Sequence, residues 1–212
     1  MSSMAEETPL AERVQQAVAG SRLARGNAYV LNATGGASDG GPGVKPPSVL
    51  VARYDYDKLK LLPEEHLKKE PNLEQREAAF SQYLKWGTEQ LKKKDPFIGQ
   101  CDDFAAATIA MLRAVMRLPE PPSVELCGAK FTIASGHAFV VVGRNGIGDV
   151  TDPSTWPAGA FVVDQWYAVQ RQSEGVNAVK TVDGVFKDEK YFDWLWGKAK
   201  QRVSVIASFR LV

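Results

Sequence analysis

Pro119 and the Pro121-Pro122 pair divide the folding signals of this chain. Proline lacks the amide hydrogen a helix needs and clashes with the preceding turn, so no helix runs through them. Before the prolines the apolar residues recur at helical spacing. From Asn72 the pattern is Leu73, Glu77, Phe80, Leu84 and Leu91, with Asn72 as N-cap and Gln75 at the third helical position. Lys92-Lys93-Lys94 closes this helix and suits the negative end of its dipole. A second helix is expected from Cys101 to Leu118, burying Phe104, Thr108, Met111, Leu112 and Val115. After the prolines the apolar runs are short and extended: 123–127, 131–134, 138–143, 161–167 and a last strand at 203–212. Residues 178–187 read as a weak hairpin about Asp183-Gly184, and Tyr191 to Lys200 as a helix carrying Phe192, Leu195 and Trp196. Helices first and strands afterwards predict an α+β fold with an antiparallel sheet.

The first part of the chain is organised differently. Residues 9–20 read as a short helix, with Leu10, Val14 and Val18 at four-residue spacing. Residues 26–48 differ, and Asn32 to Gly43, rich in turn formers and poor in apolar side chains, reads as a mobile loop or linker. No Gly-Lys-Ser/Thr ends that glycine-rich run and no helix follows it, which argues against a phosphate cradle. A strand is expected at 48–54 and a charged helix at 61–69. The expected organisation is an N-terminal helix with a flexible glycine-rich segment at 1–48, then one domain at 49–212. A targeting or substrate-selecting role for residues 1–94 is compatible with it.

Composition excludes several classes. A formal net charge of +1 gives no electrostatic footprint for nucleic acid. Two cysteines form at most one disulfide and, with no spare histidine near them, no zinc site. The amino terminus has neither the basic nor the apolar region of a secretory signal peptide. No apolar run approaches the roughly 20 residues that span a bilayer. The expected location is the cytoplasm of the producing cell, with export by a specialised secretion system left open.

The chemistry concentrates in few residues. The chain has two cysteines and two histidines. Cys127 lies mid-strand and reads as core, and His66 lies in a charged helix and reads as surface. Cys101 opens a helix after Gly99-Gln100, where free amides and the dipole favour a thiolate and can face an oxyanion. His137 opens the apolar run Ala138-Phe139-Val140-Val141-Val142, which reads as a central strand. Asp164 follows in Val162-Val163-Asp164-Gln165-Trp166. Cysteine, histidine and acid are what a thiol nucleophile, its base and an orienting group require. If the strands from 137 and 161 pair antiparallel, His137 lies opposite Asp164. Asp152, on the connection at 145–159, is the competing third member and is disfavoured by that geometry. Asp102 and Asp103 oppose ionisation of the thiol while satisfying the helix dipole. Trp86, Trp156, Trp194 and Trp196 read as packing, with a substrate rim as the alternative for Trp156.

Gly99-Gln100-Cys101-Asp102-Asp103-Phe104-Ala105 resembles the nucleophile motif of transglutaminases, and Asp164-Gln165-Trp166 resembles the Asn-x-Trp of papain-like proteases. The resemblance covers roughly residues 95–170. It implies a papain-like or transglutaminase-like core: a helix with Cys101 at its N-terminus, packed on a sheet bearing His137 and Asp164. It implies Cys101, His137 and Asp164 as catalytic, Gln100 as an oxyanion or substrate contact, and Trp166 as the shield of the orienting hydrogen bond. Asp102 stands where papain and animal transglutaminases carry tryptophan, and no calcium-site pattern is evident. Compact versions of this core occur in bacterial effectors and toxins that deamidate glutamine or cleave host proteins. The expected function is therefore a cysteine-dependent amide hydrolase on a protein substrate, with no cofactor and no metal. Deamidase ranks first, protease or transglutaminase next, and a catalytically inactive protein-binding module is the alternative of another class.

Overall fold

β6 (Gly136–Val142) is the middle strand of the sheet that positions the site, and everything from His137 to Val142 on it is buried. A computed structural model describes residues 9–28, 30–31, 37–38, 72–92, 97–116, 122–131, 136–197 and 202–210. The strand expected at 48–54, the helix expected at 61–69 with His66, and both sides of the boundary at 48 and 49 lie outside the described residues.

In chain order the elements before the sheet are α1 (Leu10–Gly20), β1 (Asn27–Ala28), β2 (Val30–Leu31), β3 (Ala37–Ser38), α2 (Leu73–Lys92), β4 (Ile98–Gly99) and α3 (Cys101–Val115). Then come β5 (Ser123–Lys130), β6, β7 (Phe161–Val163), α4 (Gln165–Gln170), β8 (Val179–Thr181), α5 (Val182–Lys187), α6 (Glu189–Leu195) and β9 (Arg202–Arg210). Five strands form one sheet in the order β8-β7-β6-β5-β9, and every neighbouring pair is antiparallel. The fold is α+β, as the order of signals in the sequence predicts. Among the described residues no helix is long and apolar enough to cross a membrane.

α3 lies against β6, and α2 packs on both α3 and β9. Fully buried Phe80, Phe104, Ile109 and Leu112 fill that layer, each contributing roughly 1.5–3 kcal/mol by leaving water. Phe80 stacks on Phe209 with ring centroids 5.3 Å apart, tying α2 to the edge strand. The two long helices approach closely at Gly87, where a Cβ would meet the Ala106 carbonyl oxygen at 1.9 Å. The capping box expected at the start of α2 forms: Asn72 Oδ1 accepts from the Gln75 amide at 2.9 Å, and Gln75 Oε1 from the Asn72 amide at 3.0 Å. α1 joins the same core through Val14 and Val18, and its Gln15 Oε1 accepts from the Val179 amide on β8 at 3.0 Å.

Several boundaries differ from the sequence reading. α3 stops at Val115, three residues before Leu118, with Met116 as its C-cap. β5 continues through Gly128 to Lys130 instead of ending at Cys127, and Phe131 lies outside it. Gly128 is kept in the strand because Ile206 packs over it, with Cδ1 2.6 Å from where a Cβ would stand. The strand expected over 161–167 ends at Val163. The hairpin expected at 178–187 is a strand followed by a helix, because Thr181 Oγ1 accepts from the Gly184 amide and caps α5. The helix expected from Tyr191 to Lys200 runs instead from Glu189 to Leu195.

Candidate active site

Asp164 is where β7 becomes α4. Phe161 to Val163 pair with Val142 to Val140, and the ladder then stops. Asp164 caps the helix that follows, its Oδ1 accepting from the Tyr167 amide at 3.0 Å. Its Oδ2 accepts from His137 Nε2 at 2.7 Å and from the Tyr191 hydroxyl at 2.9 Å. The carboxylate is 2 % exposed and the histidine 4 %, so this is a buried and fully bonded acid. The expected pair thus forms, but in a different register. One step beyond the ladder Asp164 faces Phe139, and His137 meets it diagonally from two residues away. The diagonal arises because β7 is three residues long and the chain turns away after it. With Nε2 directed at the carboxylate, Nδ1 is the nitrogen that keeps a lone pair in neutral His137.

Cys101 is the first residue of α3 and is half-buried. Gln100 is the N-cap in extended backbone, and it forms a reciprocal capping box with Asp103. In that box Asp103 Oδ2 accepts from the Gln100 amide at 3.0 Å. Gly99 makes room for it, since a Cβ there would lie 2.4 Å from Asp103 Cβ. The Cys101 sulfur is faced by the backbone N–H groups of Ala138 and Asp102. Ala138 directly follows His137, so the thiol sits against the strand that carries the imidazole.

The electrostatics differ from the sequence expectation. Burial first, and then the Asp102 carboxylate, push the Cys101 thiol well above its ordinary range, against the pull of the two amides. The helix N-terminus alone does not give a resting thiolate, because the sulfur is desolvated beside an acid. Burial also raises the Asp102 carboxyl, while His137 opposes that rise. Tyr83 of α2 lies behind the same corner: burial, then Asp102, Cys101 and Asp103, push its hydroxyl well up.

Aromatic rings enclose the imidazole. Trp166, buried, has its ring centroid 5.1 Å from that of His137, and Trp194 lies at 4.6 Å. Phe139 stacks at 6.1 Å. Trp166 thus lies beside the ring that bonds Asp164. Trp194, read from sequence as packing, is the nearer ring. Tyr191 is the residue that sequence reasoning missed. Its position is set by Asp188, whose Oδ1 accepts from the Tyr191 amide at 3.1 Å while Oδ2 accepts from Lys180 Nζ at 2.9 Å. The Asp188 cap three residues before Tyr191 is the signal that places this helix start. Asp152 lies on an exposed turn, its Oδ1 accepting from the Ser154 amide and hydroxyl at 3.0 and 2.6 Å. Trp156 is buried and packs edge-on to Trp196.

Cys101, Ala138, Phe139, Asp164, Gln165 and Trp166 are among the residues that line a tight pocket, which has no room for a water molecule in this structure. Gln100, the residue before Cys101, and Gln165, on the wall of that pocket, each bury a polar atom without a partner: Nε2 and Oε1.

No family model matches the chain, and no curated protein matches it. Among solved structures, one match is described as the crystal structure of the N-terminal fragment of an uncharacterized protein from Legionella pneumophila. It is 16% identical with a TM-score of 0.44, over 78% of this chain and 77% of that one.

Proposed function

We propose that this protein is a cysteine-dependent amide hydrolase with a papain-like or transglutaminase-like core, acting first as a deamidase of protein glutamine. The observation that carries the reading is the buried His137–Asp164 bond at 2.7 Å, on the strand whose next amide faces the Cys101 sulfur. Cys101, neutral at rest, attacks the carboxamide carbon as His137 Nδ1 takes its proton. The carbonyl oxygen becomes an oxyanion, faced by the Cys101 N–H and Gln100 Nε2. Asp164 holds the imidazolium, which protonates the departing ammonia and leaves a thioester. Water attacks the thioester, His137 takes the water's proton, and the tetrahedral intermediate collapses to glutamate and the free thiol. Trp166 and Trp194 keep bulk water from the His137–Asp164 bond. The scheme uses no cofactor.

Intact-mass spectrometry of candidate protein substrates, with wild type and Cys101→Ala, tests this. Replacing NH2 by OH adds about one dalton per site. Fragments mean proteolysis and crosslinks mean transfer, both through the same thioester. No change that depends on Cys101 overturns the enzyme reading. One observation favours a second reading, a non-catalytic binding module on the same core: burial and Asp102 oppose ionisation of the thiol. Alkylation separates the two, because a base-assisted Cys101 reacts faster than its His137→Ala counterpart and an inert one does not.

A further inference from the structure

Gln165 is the first residue of α4, 4 % exposed, and lines the same pocket as Cys101. Its Oε1 is buried with no hydrogen-bond partner. Buried carbonyl oxygens are almost always paired, so an orphan calls for a partner, either a water or a bound group. Gln100, the N-cap of α3, has the opposite deficiency. Its side-chain oxygen is engaged by the Asp103 amide in the capping box, and its Nε2 is buried without a partner. One turn thus carries an unpaired donor on the residue before Cys101, the other an unpaired acceptor on a residue that shares a pocket with Cys101, and the two do not bond each other.

We propose that Gln165 is a specificity-determining residue that, with Gln100, recognises the primary carboxamide of the substrate. Gln165 Oε1 accepts from the carboxamide NH2, and Gln100 Nε2 donates to the carboxamide oxygen. Each orphan then gains its partner from one group. An ester offers no hydrogen to Gln165. A peptide bond carries chain on the nitrogen where the carboxamide carries hydrogen. The product carboxylate presents only acceptors, so the Gln165 oxygen repels it and favours its release. This inference rests on the proposed acyl transfer at Cys101 and adds which leaving group the site selects.

The test compares two probes that form the same thioester: benzyloxycarbonyl-glutaminyl-glycine and its γ-methyl ester analogue. Wild type, Gln165→Leu, Gln165→Glu and Cys101→Ala are assayed for ammonia or methanol release. Gln165→Leu is expected to lower kcat/KM for the amide by about ten- to a hundredfold and to leave the ester within about twofold. Gln165→Glu keeps an acceptor and is expected to retain more amide turnover than the leucine variant. Ester turnover also reports that each variant is folded. An equal fall on both probes assigns Gln165 a structural role and overturns the inference alone, as does an unchanged amide rate. If wild type releases neither product in a Cys101-dependent way, the proposed function and this inference fall together.

Discussion

The Tyr191 hydroxyl and the His137 imidazole donate to the same oxygen of Asp164. Two donors on one buried oxygen fix the carboxylate more tightly than histidine alone would. Burial first, and then the Asp164 charge, push the Tyr191 hydroxyl well up, so it stays a donor throughout the neutral range. Tyr191→Phe is expected to lower the unfolding free energy by about 1.5–3 kcal/mol in urea titrations. The folded-state pKa is raised, so this contribution is present below the ordinary tyrosine value and is lost as pH rises through the elevated one. The difference between variant and wild type is thus flat from about pH 6 to 9. In the proposed reaction the variant lowers kcat and leaves KM in place, because the phenol touches the acid and not the substrate.

After burial, Asp102 is the largest of the causes that oppose ionisation of the Cys101 thiol. Asp102→Asn takes away a nearby charge, while burial remains. The Cys101 thiol pKa falls, the thiolate fraction at fixed neutral pH rises, and iodoacetamide reacts about three- to tenfold faster at pH 7.5. The two rates converge once pH passes the wild-type thiol's pKa. Cys127 is an internal control: it is fully buried, and burial first and Glu125 next push its thiol up. An unchanged Cys101 rate would assign the whole effect to burial.

Two helical glycines separate a close approach from open space. A Cβ at Gly87 meets the Ala106 carbonyl oxygen at 1.9 Å, whereas one at Gly20 meets nothing within 4 Å. Gly87→Ala must push α2 from α3 and is expected to cost about 1–3 kcal/mol. Gly20→Ala is expected to be neutral or to stabilise by up to about 1 kcal/mol. Thermal unfolding of the pair checks this, and equal shifts would contradict the helix contact.

Away from the site, Glu125 and Arg144 form a buried two-bond pair, Nε to Oε2 at 2.6 Å and Nη2 to Oε1 at 3.1 Å. Arg144 also donates to the Gly148 carbonyl at 2.6 Å and the Ile147 carbonyl at 3.3 Å, holding the turn after β6. Glu125→Ala strands the guanidinium and is expected to cost about 3–5 kcal/mol. Alkylation of Cys101 well below the unfolding temperature is expected to be unchanged, since this pair lies at the other end of β6 from His137.

What the sequence makes legible is what rests on side-chain type and spacing. Cys101 at a helix start, His137 on a central strand and Asp164 in reach of it all follow from such patterns. The end of β7 does not. Phe161-Val162-Val163-Asp164-Gln165-Trp166-Tyr167 is rich in β-branched and aromatic residues, yet only its first three residues pair. Asp164 decides the matter by accepting the Tyr167 amide, a local bond that outweighs β propensity. Asp183-Gly184 misleads in the same way, because the Thr181 hydroxyl supplies a cap that turns a hairpin signal into a helix. Tyr191 was out of reach for another reason. Nothing in Glu189-Lys190-Tyr191 marks a hydroxyl that meets a carboxylate 27 residues earlier.

That distance has a consequence for local unfolding. His137 to Asp164 and Asp164 to Tyr191 each join residues 27 apart. No short segment can hold either bond by itself, and closing such loops costs entropy that only the docked sheet and helices offset. Both bonds therefore require β7 paired with β6, and the second also requires α6 docked, so undocking α6 removes it while the β6–β7 ladder stays. A partly unfolded chain thus carries the Cys101 thiol without the buried His137–Asp164–Tyr191 set.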